Sequence, residues 1–525
     1  MQYTDTSHSS RAYKLLGVGT LVVMLLALGY LLPSADTKLI GVAFAAVAFA
    51  IGLAVFGVDL ATWAFVFVLF INLPGIATTL YGVPPVAAGA VFLLLLVPCG
   101  YYLLLKREKP IVDSTLMLML LFLMALLASS LVARDTAVAL GWIGEYLVEG
   151  VAQYFLIINV VRNLGSLKRV IWGLVLGAGL LGGLSVYQEL ALDYDNHFGG
   201  LAQRQVMIGI DETEHEIKGD IVRTREKVGG TNRAGGPFEN PNRYAQMLLM
   251  ILPLAFFIFQ RQRGSWTLKA VAAISALLAA SAILLTYSRG TFVSLVLILG
   301  ILVLLGYIRW HKALAATLVV VVLGFTVAPG YFVRVHSILG AESIVSDSAS
   351  VAADNTTRGR LTEMLAAFLV YLDYPALGVG PGQYLPYYSV EYMDNPAIAF
   401  RELNHPRRAH TLYFELAAET GTFGITVFMS IVALTMYHLL LVRRRWAHSR
   451  PDLADLATAF FVAIVGYLGT AIFLHFAYQR YFWLLMALAG AMIRIANTQG
   501  GDEKTTAPPA DGNYFRWRKA RDPAR

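Results

Sequence analysis

The sequence predicts an all-α protein: a polytopic membrane helix bundle of about 14 transmembrane helices, with a large external loop that contains an amphipathic helix. Three observations predict it. Of the 525 residues, 57% are hydrophobic and 14% charged, against a charged share of about 25% in soluble domains, and the mean hydropathy is +0.62. Apolar runs of about 17 to 25 residues recur along the chain, each long enough to cross the hydrocarbon core as a closed helix. Between them, Lys and Arg alternate in density from one short loop to the next, the bias that orients membrane proteins.

Taken in order, the spans are expected at 15–32, 38–57, 58–72, 86–105, 112–133, 141–161, 168–190, 242–260, 266–287, 290–308, 312–332, 411–441, 455–475 and 480–496. The first follows Arg11 and Lys14 and lacks a small-residue cleavage site, so it reads as a retained helix. The chain therefore divides into N-terminal helices (1–190), a polar loop (191–241), a second helical block (242–332), a large polar loop (333–410), C-terminal helices (411–496) and a tail expected to be disordered (497–525). Most of the 41 Lys and Arg fall on the side that holds both termini. Most of the others lie in the two long loops, which cross a membrane regardless of charge. Both termini are thus expected inside and both long loops outside.

Composition excludes several classes. The net charge of +7 is scattered among short loops, which is orientation and not a phosphate-backbone face, so no nucleic acid is expected. The single cysteine, Cys99, lies in an apolar run and reads as a small buried hydrophobe. No P-loop, dinucleotide fingerprint or zinc motif is present, and neither a metal nor a cofactor is expected.

The 191–241 loop begins acidic (Asp193, Asp195, Asp211, Glu212, Glu214, Glu216), ends basic and glycine-rich, and reads as a solvated surface. Asn242, after Pro241, is the expected cap of the following helix. In the 333–410 loop, Leu361, Met364, Leu365, Phe368 and Leu369 recur at helical spacing after Arg358 and Arg360, predicting a helix that lies on the membrane or caps the bundle. A glycine-rich turn from Asp373 to Tyr384 follows, then Tyr387, Tyr388 and Tyr392, whose default reading is interfacial although such rings also stack on sugars.

Charge at a membrane is costly and asks for a reason. Arg289 and Arg480 sit in tight external turns, Arg360 opens the loop helix beside Arg358, and His410 closes that loop at the mouth of the next helix. Each arginine alone reads equally well as snorkelling to headgroups. Together they suit an anion, because guanidiniums bind phosphate oxygens bidentately and stay charged, while an imidazole titrates near neutrality and can take a proton from a hydroxyl. Other acids are less pointed: Glu145 and Glu149 share a helix face, Glu415 and Glu419 lie on the His410 helix, and His475 stands one turn before Arg480.

Four patches resemble the bacterial O-antigen ligase and O-antigen polymerase family: G-P-F-E-N-P-N-R-Y-A (236–245), L-L-T-Y-S-R-G (284–290), the stretch from Arg358 or Arg360 through D-Y-P-A-L-G-V-G-P-G-Q-Y (373–384), and H-T-x9-G-x-x-G (410–424), with Thr at 411 where the family prefers Asn, Ser or Gln. The resemblance implies a metal-independent inverting glycosyltransferase of the bacterial inner membrane, with periplasmic loops and a ligase/polymerase-like core that begins at 242. It implies a donor glycan on undecaprenyl diphosphate held by Arg289 and an Arg of the 358–360 pair. The acceptor hydroxyl, on a glycan, lipid A core or protein, is activated by His410. Arg480 joins the diphosphate group, and Glu419, Asn242 and Gly421 support it. Polysaccharide assembly proteins are candidate partners. Ligase and polymerase are not separated by the sequence. The rival classes are a transporter of polysaccharide or lipid-linked sugar, which would string charge along a central path, and a non-enzymatic scaffold.

Overall fold

The computed structural model describes residues 57–499 apart from 218–219, 263, 315–316, 319–354, 401–404 and 477–478. The expected spans at 15–32 and 38–57, most of the one at 312–332, and the tail beyond 499 lie outside the described residues.

The elements run α1 (Val58–Phe70), α2 (Leu73–Tyr81), α3 (Gly89–Leu105), α4 (Ser114–Ser130), α5 (Thr136–Glu145), α6 (Gln153–Val160), α7 (Leu164–Ala191), β1 (Gln203–Ile217), β2 (Asp220–Gly236), α8 (Pro241–Arg261), α9 (Trp266–Leu285), α10 (Arg289–Leu304), α11 (Asn355–Asp373), α12 (Leu412–Trp446), α13 (Pro451–Ala471) and α14 (Gln479–Gln499). The helical class is borne out, but the expected count of fourteen spans is not confirmed. Among the described residues six helices are long and apolar enough to cross a membrane: α7, α8, α9, α12, α13 and α14. The number becomes seven if α1 and α2, bent by 49°, form one span, and α3, α4 and α10 are shorter apolar helices. Helix α5 runs into α6 through a wide π-type turn at Tyr146–Ala152.

Side-chain oxygens at helix starts satisfy the orphan N–H groups of the first turn: Asp113 for α4, Asp135 for α5, Asn163 for α7 and Ser265 for α9. For α8 the cap is Asn240, which accepts from the backbone N–H of Asn242 and Arg243. This corrects the expectation for Asn242. Pro241 occupies the first helical position, where its missing N–H costs nothing, so the capping oxygen falls one residue before it.

The centre of the bundle is α8, α13 and α14, each with 78% of its apolar window buried; α9 and α12 bury only 39%, and Leu268, Ile274 and Leu277 on α9 face outward. Helix α7 meets α9 closely, since a Cβ on Gly182 would stand 2.6 Å from the backbone of Leu278; small residues are what allow membrane helices to approach. Aromatic rings of Phe428, Phe482, Trp483 and Tyr146 tie α12, α14 and the π-type turn together.

One part of the fold is not helical. Strands β1 and β2 form an antiparallel hairpin whose register puts Glu212 opposite Arg225 and Glu214 opposite Arg223. A solvated loop was expected there. The acidic first half and the basic second half of the stretch are the two strands of this pair.

Helix α11 also departs from its expected orientation. Its buried face is Thr362, Glu363, Ala366, Ala367 and Val370, while Leu361, Met364, Leu365, Phe368 and Leu369 are half-buried. The small residues bring α11 close against the bundle, and the larger apolar stripe lies to the side. Phe368 packs on Phe414 of α12 at 5.3 Å between ring centroids.

Candidate active site

The site is built on the first turns of α12. Thr411 is the extended residue before the helix, and His410 precedes it with a φ of 50°, a left-handed conformation that costs a non-glycine residue about 1–2 kcal/mol. Glu415, one turn into α12 and buried, holds the segment in place. Its carboxylate accepts from the Ala409 backbone N–H at 2.9 Å and from Arg408 Nη1 at 2.9 Å, and the Arg408 guanidinium lies over the Trp142 ring.

Two turns on, α12 is interrupted. Gly421 has φ 63° and ψ −170°, and a Cβ there would stand 2.3 Å from the Ala376 carbonyl oxygen. The glycine-rich turn docks into this break: Val379 N–H donates to Ala418 O at 2.9 Å, Gly380 N–H to Glu419 O at 3.0 Å, and Thr422 N–H to Pro375 O at 2.7 Å. Gly378 makes the complementary approach, its missing Cβ falling 2.4 Å from the Glu419 carbonyl carbon. The Glu419 carboxylate accepts from Tyr384 N–H at 3.3 Å. Glu419 and Gly421 thus fasten the loop to the helix that presents His410.

Around His410 the structure gathers groups from four elements. Nε2 lies 3.3 Å from Oε2 of Glu363 on α11, a carboxylate only 1% exposed. The other oxygen of Glu363 is 3.5 Å from Arg407 Nη1. The His475 ring, after α13, is 6.0 Å away at an interplanar angle of 72°. Arg243, from the first turn of α8, donates to the His475 carbonyl and, at 3.3 Å, to Gln246. Burial and then the guanidiniums of Arg360, Arg243 and Arg407 push the pKa of His410 down to about 3. Burial, then Arg243, Arg408 and His410, hold His475 well below its usual range. His410 is therefore an uncharged imidazole among cations, and its Nδ1 is buried without a hydrogen-bond partner among the described residues.

The other expected residues fall at different distances from this centre. Arg360 faces His410 closely enough to depress its basicity. Arg358, one turn before Thr362, is half-buried, and its carbonyl accepts the Thr362 hydroxyl. Arg289 opens α10; the next residue, Gly290, abuts Phe473, two residues before His475. Asn242 accepts from Arg233 Nη2 at 3.1 Å, and Arg233 also donates to the Thr286 carbonyl, which ties the base of the hairpin to the Arg289 turn. Arg480 opens α14 and lies 3.5 Å from Glu149, while Gln153 donates to its carbonyl. The tyrosines are engaged internally: Tyr384 donates to the Glu363 carbonyl, Tyr387 to Asp135 and Tyr392 to Asp373, and Arg134 covers Tyr388.

Sequence reasoning did not single out Arg243, Glu363 or Arg407. Arg243 carried the same signal as Arg289, a cation at the start of an apolar helix. Glu363 carried none, because an acid among alternating polar positions reads as solvated. Among the described residues no three His, Cys, Asp or Glu side chains are placed to hold a metal ion. A cavity of about 30 Å³ beside α12 is lined by Trp142, Tyr146, Glu415, Glu419, Phe476 and Gln479 among others, room for a water or two.

Residues 274–429 match the family model described as O-antigen ligase, which bears out the family resemblance. The match spans Arg289, α11, the glycine-rich turn, His410 and Gly421, begins after Arg243 and ends before His475 and Arg480. No curated protein matches the chain. The match and the apolar helices together make this an integral membrane protein.

Proposed function

We propose that this chain, an integral membrane protein carrying an O-antigen ligase region, transfers a glycan from undecaprenyl diphosphate to an acceptor hydroxyl at the periplasmic face of the bacterial inner membrane. It is multi-pass, with both termini cytoplasmic. The single observation that carries the reading is a half-buried imidazole whose Nδ1 is enclosed without a hydrogen-bond partner among the described residues, set among the guanidiniums of Arg360, Arg243 and Arg407.

In this reading the diphosphate lies among the guanidiniums, Arg360 and Arg243 nearest the base and Arg289 at the turn beside them, with the prenyl tail in the lipid. Bidentate guanidinium contacts suit phosphate oxygens and remain charged at any working pH. His410 takes the acceptor proton as the acceptor oxygen attacks the anomeric carbon. The bond from that carbon to the diphosphate oxygen breaks, and its electron pair leaves on the phosphate, where the arginines stabilise it. One displacement inverts the anomeric centre, and no metal is required because the cations already present stabilise the leaving group. The diphosphate also neutralises the charges that suppress His410, so donor binding raises the basicity of the base.

The test is His410→Ala and Arg289→Ala in a deletion background, with surface glycan resolved on gels. Full-length, inserted and inactive proteins are expected, and normal glycan from either variant removes the role assigned to that residue. Short single-repeat chains in the deletion strain would assign the acceptor as a second lipid-linked repeat, making the enzyme a polymerase; unattached full-length glycan would assign ligation.

A further inference from the structure

Glu363 has no place in the mechanism above, yet it is one of the most enclosed acids in the described structure. It sits in the third turn of α11, 1% exposed. That turn is held from both sides: the Tyr384 hydroxyl donates to the Glu363 carbonyl at 3.1 Å, and Phe400 N–H donates to the Thr362 hydroxyl at 3.1 Å. The carboxylate is shared, with one oxygen 3.5 Å from Arg407 Nη1 and the other 3.3 Å from His410 Nε2. An ionised carboxylate cannot donate. Oε2 is buried, and its 3.3 Å contact with Nε2 is one of charge and not a hydrogen bond: a negative oxygen at that distance repels a lone pair on Nε2 and favours a proton there. A neutral imidazole carries only one proton, so Nδ1 is left with its lone pair. That atom is buried and has no hydrogen-bond partner among the described residues.

We infer that Glu363 is the positioning residue of His410: it fixes the imidazole proton on Nε2, orients the ring, and thereby assigns Nδ1 as the atom that receives the acceptor proton. The inference rests on the function proposed above. In the transfer step the O–H bond of the acceptor breaks and Nδ1–H forms, while the acceptor oxygen bonds the anomeric carbon and the diphosphate leaves with the electron pair of the broken bond. The resulting imidazolium has both nitrogens protonated, and Glu363 faces its Nε2–H. The proton then passes from Nδ1 to the departing diphosphate or to water. The charged groups facing this pair are Arg360, Arg243 and Arg407. They favour the anionic carboxylate and oppose the imidazolium, so a fixed negative charge at Nε2 matters most when the imidazolium forms. The same division of labour, an acid that orients and a histidine that moves the proton, recurs on unrelated folds.

The experiment uses full-length protein in proteoliposomes and the variants Glu363→Gln, Glu363→Asp and His410→Ala. Nitrogen NMR of histidine-labelled protein reads the tautomer of His410 directly, its signals being identified among the ten histidines by their loss in His410→Ala. The expected wild-type state is a single proton on Nε2. Glu363→Gln, which keeps the shape but not the charge, is expected to give mixed tautomers and a kcat lower by about 100-fold, within the range of general-base effects, with donor KM changed by less than about threefold. Glu363→Asp recovers part of the rate. A proton on Nδ1 in the wild type overturns the inference, as does a Glu363→Gln protein with unchanged tautomer and kcat. If His410→Ala remains active, it is the glycosyltransferase reading that fails, and the tautomer measurement still reports on Glu363 independently.

Discussion

Two carboxylates in this molecule approach a basic side chain at nearly equal distance: Glu363 at 3.3 Å from His410 and Glu149 at 3.5 Å from Arg480. Both pairs join separate helices near the start of a C-terminal helix. Arg480 faces the acids at the π-type turn, Glu149 at 3.5 Å with Glu145 acting on the same carboxylate, and Gln153 donates to its backbone carbonyl. Around His410 three guanidiniums outnumber the carboxylate, and the base is titratable. The contrast teaches that ion-pair distance does not mark chemistry. A local excess of fixed cations around a group that can be uncharged does, because that excess is what an anionic substrate relieves.

Four measurements break or sharpen this contrast. The largest effect is expected for His410→Ala, which should lower transfer by about 10²- to 10⁴-fold, the usual worth of a general base, in a protein that inserts and melts like the wild type. Next come Arg360→Ala and Arg243→Ala, each expected to weaken donor use, read as kcat/KM, by about 10- to 100-fold through loss of charge-assisted bonds. Lys at either position should restore only part, since a point charge does not reproduce the guanidinium fork. Arg480→Ala should do the reverse: a drop in thermal stability of about 1–3 kcal/mol from an acid left without its partner, and a rate change below about threefold. A rate loss equal to that of Arg360→Ala would instead put Arg480 in the diphosphate site.

The smallest effect concerns pH. Because His410 is pushed down to about 3, it is already in the proton-accepting form throughout neutrality. The profile of kcat/KM, which reports the free enzyme, should therefore show no fall near the ordinary histidine value of about 6.5 as pH drops from about 8 to about 5. A fall centred there contradicts the electrostatic account. Stability runs the other way. Above about 6.5 the imidazole is neutral folded and unfolded and contributes nothing. As pH falls from about 6.5 toward 3, only the unfolded chain takes the proton, so stability declines over that window.

The contrast also explains what was legible in the sequence. Long apolar runs gave helix bounds closely, 242–260 against Pro241–Arg261 and 266–287 against Trp266–Leu285, since burial of a continuous run needs no partner to be recognised. His410, Glu419, Gly421 and Arg360 were legible because they stand where charge or glycine is costly or unusual. Glu363 and Arg407 were not, because their role depends on α11 turning its small-residue face inward, a tertiary outcome that the larger apolar stripe of Leu361, Leu365 and Phe368 argued against. The hairpin was missed because its strands alternate charges instead of apolar residues. The cap of α8 was displaced by one proline, from Asn242 to Asn240.

The most direct test is single-turnover transfer in proteoliposomes with donor already bound, comparing the wild type with His410→Ala and measuring donor affinity in the same preparation. The account predicts that donor binds equally well to both and that glycan leaves the diphosphate only in the wild type. Equal transfer rates from the two proteins would contradict it.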